Sequence, residues 1–142
     1  MLLVDANLLI YAYDSASPFH ATSQGWLERI LSGSEPVRLA WISILAFLRI
    51  TTAARAFVRP LAPAEAASLV GSWLAQSQVE VLDPGDNFWA IYQALIAQAQ
   101  AKGPIMTDAF LAALAIEYGA LLCSTDKDFR RFRKLRLFDP LE

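Results

Sequence analysis

Short, wholly apolar runs that stop abruptly at an acid or a hydroxyl are the feature that most constrains this chain. Leu2-Leu3-Val4 runs into Asp5, and Leu121-Leu122-Cys123 runs into Ser124-Thr125-Asp126. Runs this short, with no polar alternation, suit strands buried on both faces, which is the condition of a parallel sheet covered by helices on each side. Helical stretches lie between them. Leu8 to Tyr13 and His20 to Leu31 read as helices, Val37 to Trp41 as a second strand, and Ser43 to Phe57 as a helix with Ser43 at its N-cap. Pro63 opens a further helix with Glu65 in its first turn. Val79 to Leu82 alternates as a strand, and Asn87 to Ala101 is helical. Thr107 is placed to cap a helix that runs to Tyr118 and stops at Gly119. After the strand Leu121–Ser124, a short turn covers Asp128 to Phe132, and Leu135 to Phe138 forms a last strand. Loops at Ser32–Pro36, Arg59–Pro63 and Lys102–Pro104 separate elements rather than domains. The expected fold is α/β, with a central parallel sheet of roughly four to five short strands and helices on both faces, in one domain spanning residues 1–142.

Composition narrows the function. A lone cysteine, Cys123, excludes an internal disulfide framework and any clustered-thiolate zinc site, and its apolar neighbours make it a small buried hydrophobe. A chain with no disulfide to form is expected in a reducing cytoplasm. No run approaches the ~18 apolar residues of a membrane span. The apolar start lacks a basic segment and is broken by Asp5 and Asp14, so it reads as structure and not as a signal peptide. Hydrophobic residues make up 56% of the chain, above the usual ~45–50%, which predicts a surface covered by another chain, with a homodimer as one form. The net charge of −2 does not mark a nucleic-acid binder, but its distribution is uneven: six of the 12 Lys and Arg residues fall between Lys127 and Arg136. Pro36 to Ala64 holds four arginines and no acid. Local basic surface is therefore available on an acidic chain, as are ordinary solvated faces.

The acids carry the chemistry. Asp5 ends the first strand, Asp108 opens a helix whose body is so apolar that it reads as buried, and Asp126 and Asp128 follow the strand at 121–124. Taken singly, each has an ordinary structural use as an N-cap, a partner of the helix dipole or a turn former. Together they bring carboxylates from three segments to one edge of one sheet, where chemistry gathers in parallel α/β folds. Clustered carboxylates raise one another's pKa unless a cation is present. Oxygen-only ligands suit Mg²⁺ or Mn²⁺, and the single histidine, His20, offers no competing nitrogen cluster. Such a site serves phosphodiester hydrolysis.

The residues Leu3-Val4-Asp5-Ala6-Asn7, Thr107 to Ala115, and Ser124-Thr125-Asp126-Lys127-Asp128-Phe129-Arg130-Arg131-Phe132 together resemble the PIN-domain ribonucleases, specifically VapC-type toxins of bacterial toxin–antitoxin pairs. The resemblance covers nearly the whole chain. It implies a PIN-like fold, Mg²⁺ or Mn²⁺ dependence, endonuclease action on RNA and inhibition by a cognate antitoxin. It maps catalytic and metal-binding acids onto Asp5, Asp108 and Asp126, a further metal position onto Asp128, and polar supporting positions onto Asn7 and Thr125. One departure stands out. The family carries a Glu in the helix after the second strand, about three residues before an Arg; here Ala46 stands there, with Arg49 following as a supporting residue able to bind phosphate or pair with a carboxylate.

Other residues read more plainly. Glu117 lies nine residues beyond Asp108, on another side of the helix, and reads as surface or structural. His20 reads as a helix-start residue, and Arg130, Arg131, Arg133 and Lys134 either line an RNA path or form a solvated face. Two alternatives stay open. One is a non-catalytic PIN-fold module that binds RNA or a partner; the other is a phosphotransfer or receiver domain using Asp5 as nucleophile, although no phosphate-loop motif is present.

Overall fold

A computed structural model describes residues 1–142. Five strands form one parallel sheet: β1 (Leu2–Val4), β2 (Val37–Ala40), β3 (Val79–Leu82), β4 (Leu121–Cys123) and β5 (Leu137–Phe138). Their spatial order is β3-β2-β1-β4-β5. The chain therefore builds outward from β1 to β3, returns, and builds the other way from β4 to β5. The reversal falls between β1 and β4, and the crevice beyond the carboxyl ends of that strand pair is where ligands bind in open α/β sheets.

Alternation along the buried strands divides the core. Leu2, Val4, Val37, Leu39 and Cys123 pack on one face of the sheet, while Leu3, Ala40 and Leu122 pack on the other. The first face is covered by α1 (Ala6–Tyr11), α2 (His20–Ser32), α3 (Trp41–Thr51) and α4 (Pro63–Leu74), through Leu8, Trp26, Phe47 and Trp73 among others. Each such fully buried apolar side chain contributes on the order of 1.5–3 kcal/mol. The rings of Tyr13, Phe47 and Trp73 meet at centroid distances of 4.8–5.9 Å, and Trp73 Nε1 donates to the Tyr13 hydroxyl at 3.1 Å. That contact leaves the buried indole with no orphaned donor.

The second face is covered by α5 (Phe88–Ala99) and α6 (Ile105–Tyr118). The middle of α6 is buried against the sheet, and Ala109, Ala112, Ala113 and Ala115 are 0% exposed. Side chains this small let the helix axis lie close to the sheet. Gly119, at φ +66°, ends α6 in the left-handed conformation that other residues adopt only with strain. The short connection at Gly119-Ala120 then turns the chain into β4. A turn this tight makes α6 run antiparallel to β4, so α6 begins at the edge where the strands end.

Several expected boundaries are corrected. Helix α3 starts at Trp41, directly after β2, with Ala40 and not Ser43 at the N-cap. It ends at Thr51 rather than Phe57, where Thr51 and Thr52 each donate their hydroxyl to a carbonyl four residues back and loosen the last turn. Helix α6 starts at Ile105, so Thr107 lies inside its first turn rather than capping it. Helix α1 begins at Ala6, two residues early, because Asp5 is its N-cap. The last strand shrinks to Leu137–Phe138, and β4 ends at Cys123.

Glu117 has a structural task. Its carboxylate accepts from Gly85 N at 2.8 Å and Asn87 N at 3.0 Å, pinning the connection that leads from β3 into α5. His20 is likewise structural, with Nδ1 3.0 Å from the Tyr11 carbonyl. Burial pushes the Cys123 thiol up to about 12, which makes it inert. No helix is long and apolar enough to cross a membrane.

Candidate active site

Two strand ends and one helix start meet at the reversal point. Val4 of β1 lies opposite Cys123 of β4 in the parallel register, so the next residues, Asp5 and Ser124, emerge as neighbours. Asp5 Oδ1 accepts from Ala6 N at 2.8 Å, as an N-cap does. Its Oδ2 accepts from the Ser124 hydroxyl at 2.7 Å. Ser124 Oγ in turn accepts from Asp126 N at 3.0 Å, and Asp126 Oδ1 accepts from Asp128 N at 2.8 Å. This chain of bonds locks the post-β4 turn against the end of β1. Asp108 joins from the first turn of α6.

Carboxylate oxygens of Asp108, Asp126 and Asp128 all lie within 4.8 Å of one another. Asp108 and Asp126 border a cleft of about 230 Å³ whose walls also include Asp5, Asn7, Ser43 and Ala46. Asp5, Asn7, Asp108 and Asp126 thus stand together, with Asp128 at the exposed rim. Thr125 and Arg49 do not line this cleft; Arg49 is exposed on α3. Ala46 faces the cleft, at the place where the sequence motif points to a missing Glu. From sequence Ser124 reads only as a strand end, although this hydroxyl, 1% exposed, is the one that touches Asp5. Its signal was available in the parity of the two apolar runs, each ending one residue before the polar group that faces its neighbour.

The electrostatics are those of crowded anions. Burial raises the Asp5 carboxyl, opposed by the bonds from Ser124 and Ala6, and Asp126 raises it further. Asp108 is pushed up to about 6, first by burial and then by the charges of Asp126, Asp5 and Asp128. The only basic partner is at the rim, where Arg131 Nη2 lies 3.5 Å from Asp128 Oδ1, an exposed pair worth little. Oxygen donors that repel each other in the absence of a counter-charge fit a hard divalent cation. Exposed Lys127, Arg130, Arg133 and Lys134 follow directly in sequence.

Asp108 binds its proton more tightly folded than unfolded, where carboxylates sit near 3.8. Stability is therefore lost as pH rises from that range through about 6. Melts of EDTA-treated protein should fall in Tm over this window, and Asp108→Asn should flatten the fall and melt higher at pH 7. A parent melt that rises with pH across the window contradicts this.

The family model for the PIN domain matches residues 2–135. Ribonuclease VapC37 of Mycobacterium tuberculosis is 37% identical over 140 residues, covering 99% of this chain and 97% of the relative. Ribonuclease VapC33 of the same species is 36% identical over 141 residues, covering 99% of each. Among solved structures, VapBC2 from Rickettsia felis, bound to a DNA fragment from its promoter, superposes with a TM-score of 0.71 over 97% of each chain at 18% identity, a likeness of fold. On the match to nearly its whole length, this chain belongs to the PIN domain family.

Proposed function

We propose that this protein is a divalent-metal-dependent endoribonuclease, the toxin of a toxin–antitoxin pair, acting in the cytoplasm as one domain spanning residues 1–142. The observation that carries this is the carboxylate cluster at the β1/β4 reversal point in a chain 36–37% identical to VapC ribonucleases over its full length. Asp108, Asp126 and Asp128 would hold Mg²⁺ or Mn²⁺, directly or through water, with Asp5 beside them. When bound, the ion supplies Lewis acidity and offsets the charge that builds on a phosphodiester during hydrolysis. The chain's own residues do the rest. Ser124 and the Ala6 N–H hold the Asp5 carboxylate in one orientation, so no reorganisation is needed as charge develops. Asn7 offers a neutral amide on the cleft wall. The basic run after Asp126 provides phosphate contacts that draw the RNA backbone to the rim. Arg131 is near enough to Asp128 to turn from carboxylate to phosphate.

RNA cleavage should be abolished by EDTA, restored by Mg²⁺ or Mn²⁺, and reduced by at least about a hundredfold in Asp108→Asn with the fold intact, the scale on which loss of a group stabilising transition-state charge is felt. Full cleavage in metal-free buffer contradicts the proposal. The neutral Ala46 wall favours one second reading, a module that holds RNA without cutting it; binding with no cleavage under any metal would establish that instead.

Partners follow from the surface. Trp41 is 55% exposed, and Leu45 and Trp89 are each 63% exposed, a cost in water that a second copy of the chain and an antitoxin segment would relieve. Light scattering of the isolated protein at micromolar concentration should report a dimer. A monodisperse, soluble monomer contradicts that part.

A further inference from the structure

We propose that the cleft holds a single divalent cation, because its α3 wall offers no carboxylate to a second. The proposal rests on the metal-dependent nuclease reading above and specifies its stoichiometry.

The acids are one-sided. Asp5, Asp108, Asp126 and Asp128 all come from the ends of β1 and β4 and the start of α6. The oxygens of Asp108, Asp126 and Asp128 form one ligand triangle, within 4.8 Å of one another. Asp5 does not join that triangle; it lies on the same side of the cleft, its carboxylate oriented by the Ala6 N–H and the Ser124 hydroxyl.

Facing them, α3 presents Ile42, Ser43 and Ala46 to the cleft. No acid occurs anywhere from Pro36 to Ala64, so no neighbouring residue of α3 or its flanking loops can swing in to replace one. Two-ion phosphodiester sites set the ions ~3.5–4 Å apart, clamping the attacking and leaving oxygens from both sides. Hard divalent ions are held in such places by charged oxygens, and Mg²⁺ gives up its water reluctantly. On the α3 side the protein offers one serine hydroxyl, a poor exchange for a hydration shell.

Binding of Mn²⁺ to the full chain without RNA tests this, by calorimetry for stoichiometry and by electron paramagnetic resonance for coupling between ions. The expected result is one Mn²⁺ per chain with the spectrum of an isolated ion, lost in Asp108→Asn. Two Mn²⁺ per chain with a spin-coupled spectrum overturns the single-ion proposal and leaves the nuclease reading standing. No Asp108-dependent uptake overturns both. Ala46→Glu and Ser43→Asp, one turn apart on the same wall, supply the missing charge. Whichever keeps the parent's circular dichroism should take up a second, coupled ion. A folded variant that still binds one overturns the assignment of the limit to α3.

Discussion

Mutual repulsion among carboxylates at the junction of β1, β4 and α6 is the constraint around which this structure is arranged. Four acids share one edge of the sheet, and Asp108 among them is driven up to about 6 by burial and by its acidic neighbours. The protein's own side chains set against that charge only one exposed arginine at the rim. A domain tolerates such an arrangement only when the rest of it is stable enough to absorb the cost. Here two separate cores, one on each face of the sheet, do so.

The topology explains why the acids meet at all. Asp5 and Asp126 are far apart in sequence, yet the parallel pairing of β1 with β4 delivers both to one crevice. The small residues of α6 let that helix sit against the sheet, and the tight turn at Gly119 sets its direction. Asp108 therefore arrives at the same edge. Ser124 then links the two strand ends through Asp5 and Asp126, which fixes the spacing of the acids before any ligand arrives.

Much of this was legible in the chain itself, because burial on both faces leaves its mark on short apolar runs. The parallel α/β sheet, the placement of α6 and the acids at strand ends all follow from that pattern. What was not legible was local geometry. Ser43 and Thr107 look like helix caps because hydroxyls favour that position, yet both lie inside first turns and border the cleft. Thr125 and Ser124 are adjacent hydroxyls, and only the register with β1 decides that Ser124 is the one that reaches Asp5. The apolar pattern continues to Phe57, past the paired threonines that stop α3 at Thr51. Only the motif points to Ala46, and its position on the cleft wall supports that alignment.

The most direct test is to locate the cation itself. Crystals of the protein soaked in Mn²⁺ should give anomalous scattering at the β1/β4 reversal point, with at least one carboxylate oxygen of Asp108, Asp126 or Asp128 at the ~2.0–2.2 Å expected of a small hard divalent ion and the others bound directly or through its waters. Anomalous density elsewhere on the surface, with these carboxylates left unligated at saturating Mn²⁺, would contradict the account.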